Sequence, residues 1–289
     1  MRYIAFTTLC LGLLLSGPSN INGQLLPTDW QKAVVLIERE VKVDENVQYL
    51  PVGTGFLVRG SAPSKEKSVY LVTAKHVLAA LLAQGNKFTF RVDTRDGRFA
   101  RVSAELAAAG AGRPPLVVGT PETSAELGWV MHSQFDVAAI DVSNLKVPPT
   151  ADYRLFGSDL LATKELYDSL ALAETDLTFI IVYDMRLNTR LVRAGMISKI
   201  LEMGSFLMEC RNFQGDSGSP VVLQPAVSRK PGEIQVGTRP IIIGLVSDTT
   251  NALVPIAKFA QTDLLFPQSM DLSLVQPSYR ILELLSGSN

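Results

Sequence analysis

Short apolar runs of strand type recur along this chain, punctuated by Gly, Pro and Asn. In the first half they are AVVLIE (33–38), GTGFLVRG (53–60), VYLVTA (69–74), KFTFRV (87–92) and DVAAIDV (136–142). The second half adds LTFIIVYD (177–184), RLVRAGMISKIL (190–201), PVVL (220–223) and IIIGLVSD (241–248). Runs of this length with turn residues between them predict an all-β chain of barrels or sandwiches. Helical spacing is confined to three places. SDLLATKELYDSLAL (158–172) has Ser158 as a cap and leucines on one face. PSYRILELL (277–285) has Pro277 at its first turn. A short helix is expected to start at His76, in HVLAALLA. Segments 107–128 and 224–240 read as loops. The break near residue 150 divides the strands into two groups, about 30–150 and 151–289.

The first residues, MRYIAFTTLCLGLLLSGPSNING, have a leader layout: Arg2 beside the amino terminus, an apolar run from Ile4 to Leu15, then small and polar residues. The run falls short of the about 20 residues that span a bilayer. Cleavage near Gly23 is expected in preference to a membrane anchor. The expected organisation is a signal peptide over 1–23 and one domain over 24–289. The mature protein would be periplasmic or extracellular and not stably inserted in a membrane. Cleavage would remove Cys10, leaving Cys210 as a small buried apolar residue with no internal disulfide partner.

With 47% hydrophobic and 19% charged residues, the chain can bury a sizeable core. The net charge of -1 and the lack of a basic block exclude a nucleic-acid partner. No cofactor is implied. Two histidines, one mature cysteine and no HExxH make a poor metal-ligand set, so no metal is expected.

The chemistry centres on QGDSGSP (214–220). A serine hydroxyl attacks a carbonyl only if a base takes its proton and donors hold the oxyanion. Both histidines, His76 and His132, precede Ser217, which excludes the Ser–acid–His order of the α/β-hydrolases. The order His, Asp, Ser remains. His76 lies in YLVTAKHVL, where a strand gives way to a short helix. Asp136 heads a buried strand, a costly place for a carboxylate without a partner. Asp141 is the rival acid, but its odd spacing puts it on the opposite face. His132 is expected to be a surface or supporting residue.

GTGFLV, TAKHV, DVAAI and GDSGSPVV, in this order, resemble the trypsin/chymotrypsin-like serine peptidases. RAGMISKI (193–200) resembles a strand of the bacterial HtrA-type branch, and SLVQPSYRILELL (273–285) resembles the closing strand and helix of bacterial stand-alone domains of this type. The resemblance implies two perpendicular β-barrels, a short helix between them and a closing C-terminal helix. It implies an exported bacterial serine endopeptidase acting on polypeptide through an acyl-enzyme. Ser217 would be the nucleophile, His76 the base and Asp136 its orienting acid, with Gly215 and Ser217 N–H groups as the oxyanion hole. Three features depart from the family. No activation site supplies an amine for Asp216. The substrate-strand segment reads SDT, Ser247 to Thr249, and Ser219 replaces a glycine. The missing amine, the SDT segment and the less rigid oxyanion loop that the missing amine would leave motivate a second reading, an inactive peptidase-fold binding module. By the same resemblance Arg211 would line the primary pocket and Ser247 and Asp248 would border the substrate. Alternatively Arg211 points to solvent, or pairs with Asp216 or Asp248.

Overall fold

The computed structural model describes residues 26–60, 68–107, 126–224, 239–259 and 262–286; side chains are described for these residues except Glu126 and 250–269. The chain is all-β and holds the two expected units. The first is an eight-stranded sheet: β1 Val34–Val43, β2 Asn46–Arg59, β3 Val69–Thr73, β4 Lys87–Asp93, β5 Phe99–Leu106, β6 Glu126–Leu127, β7 Trp129–Met131 and β8 Ala138–Asp141. Its order is β6-β5-β4-β1-β2-β3-β8-β7. The second is a closed barrel of β9 Leu177–Asp184, β10 Thr189–Ile200, β11 Phe206–Glu209, β12 Pro220–Leu223, β13 Ile241–Phe259 and β14 Thr262–Pro277. This is a chymotrypsin-like double arrangement, except that hydrogen bonding closes only the second unit into a barrel.

The apolar runs become the buried strands. Phe56, Leu71, Phe88, Phe90 and Ile140 fill the first core, and Ile180, Val182, Phe206, Val221 and Ile243 fill the second. The two halves are stitched by the linker, where Phe156 N–H donates to Leu57 O and Arg59 N–H to Phe156 O, both at 2.9 Å. The last helix, α3 (Tyr279–Ser286), returns to the first half and buries Ile281, Leu284 and Leu285 in its core.

The helix expected over 158–172 is shorter. A 3-10 turn covers Ser158–Leu160, and α2 runs Lys164–Ser169 with Thr163, not Ser158, as its cap; Thr163 Oγ1 accepts from Leu166 N–H at 3.2 Å. Leu161 leaves the helical path because it bridges Ile242, and Ala162 N–H donates to Ile242 O at 2.9 Å, so sheet pairing overrides the leucine spacing. The helix at His76 is α1, Lys75–Leu82. The expected leader and most of the two expected loops lie outside the described residues. Among the described residues, no helix is long and apolar enough to cross a membrane.

Candidate active site

His76 is the second residue of α1, whose capping position is Ala74, a residue with no side chain able to cap. Asp136 supplies the cap from outside the helix. Its Oδ1 accepts the His76 backbone N–H at 2.9 Å, and its Oδ2 meets His76 Nδ1 at 2.8 Å. The carboxylate can only accept, so Nδ1 carries the proton and Nε2 is left free to accept one. The bond to Asp136 raises the pKa of His76 above the ordinary 6.5. The charges of Asp136 and Asp248 push the same way, against the effect of burial.

Asp136 is held by the loop before it. Lys75 Nζ donates to His132 O at 2.9 Å and to Ser133 O at 3.3 Å. The His132 ring, which is buried, accepts from Gln134 N–H at 3.1 Å and Phe135 N–H at 3.2 Å through Nδ1. Its Nε2 meets Glu283 of α3 at 3.1 Å. His132 is therefore not the surface residue that was one expectation. It shapes the turn that delivers Asp136, which is a supporting role.

The nucleophile segment makes two consecutive turns. Asp216 N–H donates to Phe213 O at 3.1 Å, and Ser219 N–H to Asp216 O at 3.0 Å. Gly215, with φ +100°, and Gly218, with φ +90°, hold the third position of each turn, while Gln214 and Ser217 keep negative φ. These are type II turns, which require glycine at that position. The N–H groups of Phe213, Asp216, Gly218 and Ser219 all have acceptors. Among the described residues, those of Gly215 and Ser217 donate to none. Among the described residues, the two donors expected for the oxyanion hole are thus unspent.

Threonines join this segment to the histidine side. Thr54 of β2 receives nothing from Ser217 but donates its N–H to Ser217 O at 2.9 Å and its hydroxyl to Gly215 O at 2.8 Å. Thr73, three residues before His76, donates to Thr54 O at 2.7 Å. A side chain on Gly218 would run into Thr54 O and Thr73 Oγ1. Gly218→Ala is expected to cost about 2 kcal/mol or more from backbone strain alone, read as a lower urea midpoint with an unchanged slope. Among the described residues, no hydrogen bond joins Ser217 to His76.

Asp216 is buried, and its cation is Arg193 of β10, Nη1 to Oδ2 at 2.6 Å. Arg193 also reaches Asp184 at 3.1 Å and Arg211 O at 3.2 Å. Phe213, the first residue of the oxyanion turn, lies under the guanidinium groups of Arg186 at 3.7 Å and Arg193 at 4.8 Å. Burial nevertheless raises the pKa of Asp216, whereas Arg186 and nearby backbone N–H groups hold Asp184 at about 2.

The remaining expected residues fare unevenly. Arg211 is exposed and does not serve as the partner of Asp216, a place taken by Arg193. Ser247 sits at a bulge in β13 with its side chain buried, bonded to Gln276 at 3.1 Å and Leu274 O at 3.3 Å. Asp248 is exposed, and its charge reaches His76. Cys210 is buried, which pushes its thiol up to about 11 and leaves it inert at neutral pH. Among the described residues, no group of three or more metal-ligating side chains occurs.

No family model and no curated protein matches the chain. Among solved structures, it is similar to the MamO protease domain of Magnetospirillum magneticum in its apo form. The two share 15% identity with a TM-score of 0.48, over 89% of this chain and 98% of that one.

The pH dependence follows from the surroundings of His76. As a general base His76 would work only when neutral, so any activity that depends on it is expected to rise through a midpoint above the ordinary histidine value. Asp248→Asn removes one charge that raises it and is expected to move the acid limb of kcat/KM to lower pH. A limb unmoved by that change would mean Asp248 does not act on His76.

Proposed function

We propose that the protein is an exported serine endopeptidase of the trypsin/chymotrypsin-like type. Ser217 attacks the carbonyl of a polypeptide, and His76 Nε2 accepts its proton. Asp136 holds the imidazole in the required tautomer and stabilises its charged form, and the tetrahedral oxyanion is met by the Gly215 and Ser217 N–H groups. His76 then protonates the leaving amine, and water, activated by the same base, releases the acyl group from Ser217.

One observation supports this reading: the Gly215 turn is already type II, with its N–H given to no described acceptor, while Asp136 fixes His76 through Nδ1. A protein that only bound ligands through this fold would have no need of both. The missing activation amine, which favoured a binding module, loses its weight because Arg193 supplies the cation for Asp216.

Incubation of the mature protein with a mixed-sequence peptide library, read by mass spectrometry, tests the proposal. New termini are expected with wild type and none with Ser217→Ala. The same cleavages from both proteins, or from neither, would refute it.

A further inference from the structure

The loop that delivers Asp136 is pinched at its base and tied again from within. His132 N–H donates to Val137 O at 2.9 Å, which closes residues 132–137 into a loop. Inside that loop, His132 Nδ1 accepts from Gln134 N–H at 3.1 Å and from Phe135 N–H at 3.2 Å. An asparagine or aspartate oxygen ordinarily closes a turn of this kind; here an imidazole nitrogen does so. The ring is buried and stands edge-on to Phe135, 4.9 Å between centroids, and Arg280 of α3 lies over Phe135 at 4.1 Å.

Two sets of neighbours fix the same proton on this ring. Nδ1 receives two N–H groups, so it must keep its lone pair. Nε2 meets Glu283 of α3 at 3.1 Å, and a carboxylate can only accept, so Nε2 carries the hydrogen. His76 has the opposite arrangement, with its hydrogen on Nδ1 toward Asp136. Glu283 therefore does for His132 what Asp136 does for His76, at the other nitrogen. A second proton on His132 would go to Nδ1. It would face two N–H groups and remove the acceptor that both share. Among the described residues, the charged or titratable groups bonded to this loop or lying over it are Lys75 and His76 of α1 and Glu283 and Arg280 of α3.

We infer that His132 is a positioning residue for Asp136, and that it holds Asp136 in place only as the neutral ring protonated on Nε2. The inference rests on the reading of Asp136 as the orienting acid of His76 and extends it: the catalytic pair depends on the protonation state of a second, buried histidine. With Nδ1 protonated, the turn at 133–135 loses both inner bonds, and Asp136 is the next residue. Its carboxylate has to meet two donors at once, the His76 N–H at 2.9 Å and Nδ1 at 2.8 Å, so a small swing of the loop breaks both. The covalent geometry of the side chains says which substitutes preserve the turn. Asparagine bears its oxygen on Cγ, where histidine bears Nδ1, so it accepts the same two N–H groups and takes up no proton. Glutamine places its amide one bond further out, on the Nε2 side, and leaves the turn untied.

The experiment uses the untagged mature protein and a peptide taken from the best-cleaved site of the library. The chain has two histidines, so heavy-nitrogen labelling of histidine gives two ring signals in NMR spectra, told apart by a His76→Ala variant. At neutral pH the His132 ring is expected to be protonated on Nε2 and the His76 ring on Nδ1. In kinetics, His132→Gln is expected to lower kcat about ten-fold or more with little change in KM, and His132→Asn to restore most of the loss. The acid limb of log kcat/KM against pH is expected to have a slope of about two in wild type and about one in His132→Asn. A His132 ring protonated on Nδ1 in wild type would overturn the inference without recourse to any variant. A slope of about one in both proteins, or wild-type kcat in a folded His132→Gln protein, would overturn it and leave the peptidase reading standing. No cleavage by the wild type would remove both.

Discussion

Arg193→Met is expected to lower kcat by about 10²–10³, the loss associated with one misplaced oxyanion donor, with little change in KM for a short substrate. Arg193 is the cation that closes on Asp216, and Asp216 in turn accepts the Phe213 N–H at 2.8 Å and its carbonyl closes the turn that contains Ser217. Removing the guanidinium leaves a buried carboxylate without its partner. Breaking a buried pair from one side costs about 3–5 kcal/mol. That cost is met either by unfolding or by local rearrangement of the 213–216 turn, and a type I turn there would aim the Gly215 N–H away from the oxyanion. Arg193→Lys keeps one charge but not the fork that reaches both Asp216 and Asp184, so its kcat should fall between those of the methionine variant and wild type. Arg193 acts through the turn and is a positioning residue. The kcat-against-KM split separates this role from a general loss of folded protein. Wild-type kcat in a folded methionine variant would show that the turn does not depend on the pair.

Asp136→Asn is expected to reduce kcat/KM by about 10⁴ while leaving the fold nearly as stable. The two oxygens of Asp136 do different things. Oδ1 caps α1 through the His76 backbone N–H, and an asparagine carbonyl can keep that bond. Oδ2 accepts from Nδ1, and an asparagine amide in its place donates instead. The imidazole then carries its proton on Nε2, where Ser217 needs a base. Thermal unfolding and kcat/KM therefore separate in this variant. A loss of activity of less than about ten-fold would mean that Asp136 only caps the helix.

Most of the strand framework was legible in the chain because its apolar runs are short and bounded by turn residues. LTFIIVYD is β9 residue for residue, and PVVL is β12. β5, β6, β7 and β11 were missed, and of β14 only the closing stretch from Ser273 was expected. FARVSAEL and TDLLFPQSMDLSLVQP mix polar residues without clean alternation, because these strands lie at sheet margins or, in β14, run beyond the pairing with β11. The pairing of His76 with Asp136 was legible because a carboxylate at the head of a buried strand needs a partner and histidines are scarce. The Arg193–Asp216 pair was not. Arg193 is one of several arginines in the β10 region, and only barrel closure brings it to the nucleophile turn. The one available hint was a basic residue inside an otherwise sheet-forming run. Thr54 and Thr73 were invisible for a similar reason: Thr54 is a strand residue that makes its contacts through its backbone as much as its hydroxyl, and Thr73 donates its hydroxyl to the Thr54 carbonyl.

In the proposed function Ser217 is a nucleophile activated by His76 beside a preformed oxyanion site. The most direct measurement is the intact mass of the mature protein after reaction with a fluorophosphonate, with the modified peptide then sequenced. A single adduct on Ser217 is expected, with none in Ser217→Ala and greatly slowed formation in Asp136→Asn. An adduct of equal yield in Ser217→Ala, or no adduct on a folded wild-type protein, would contradict it.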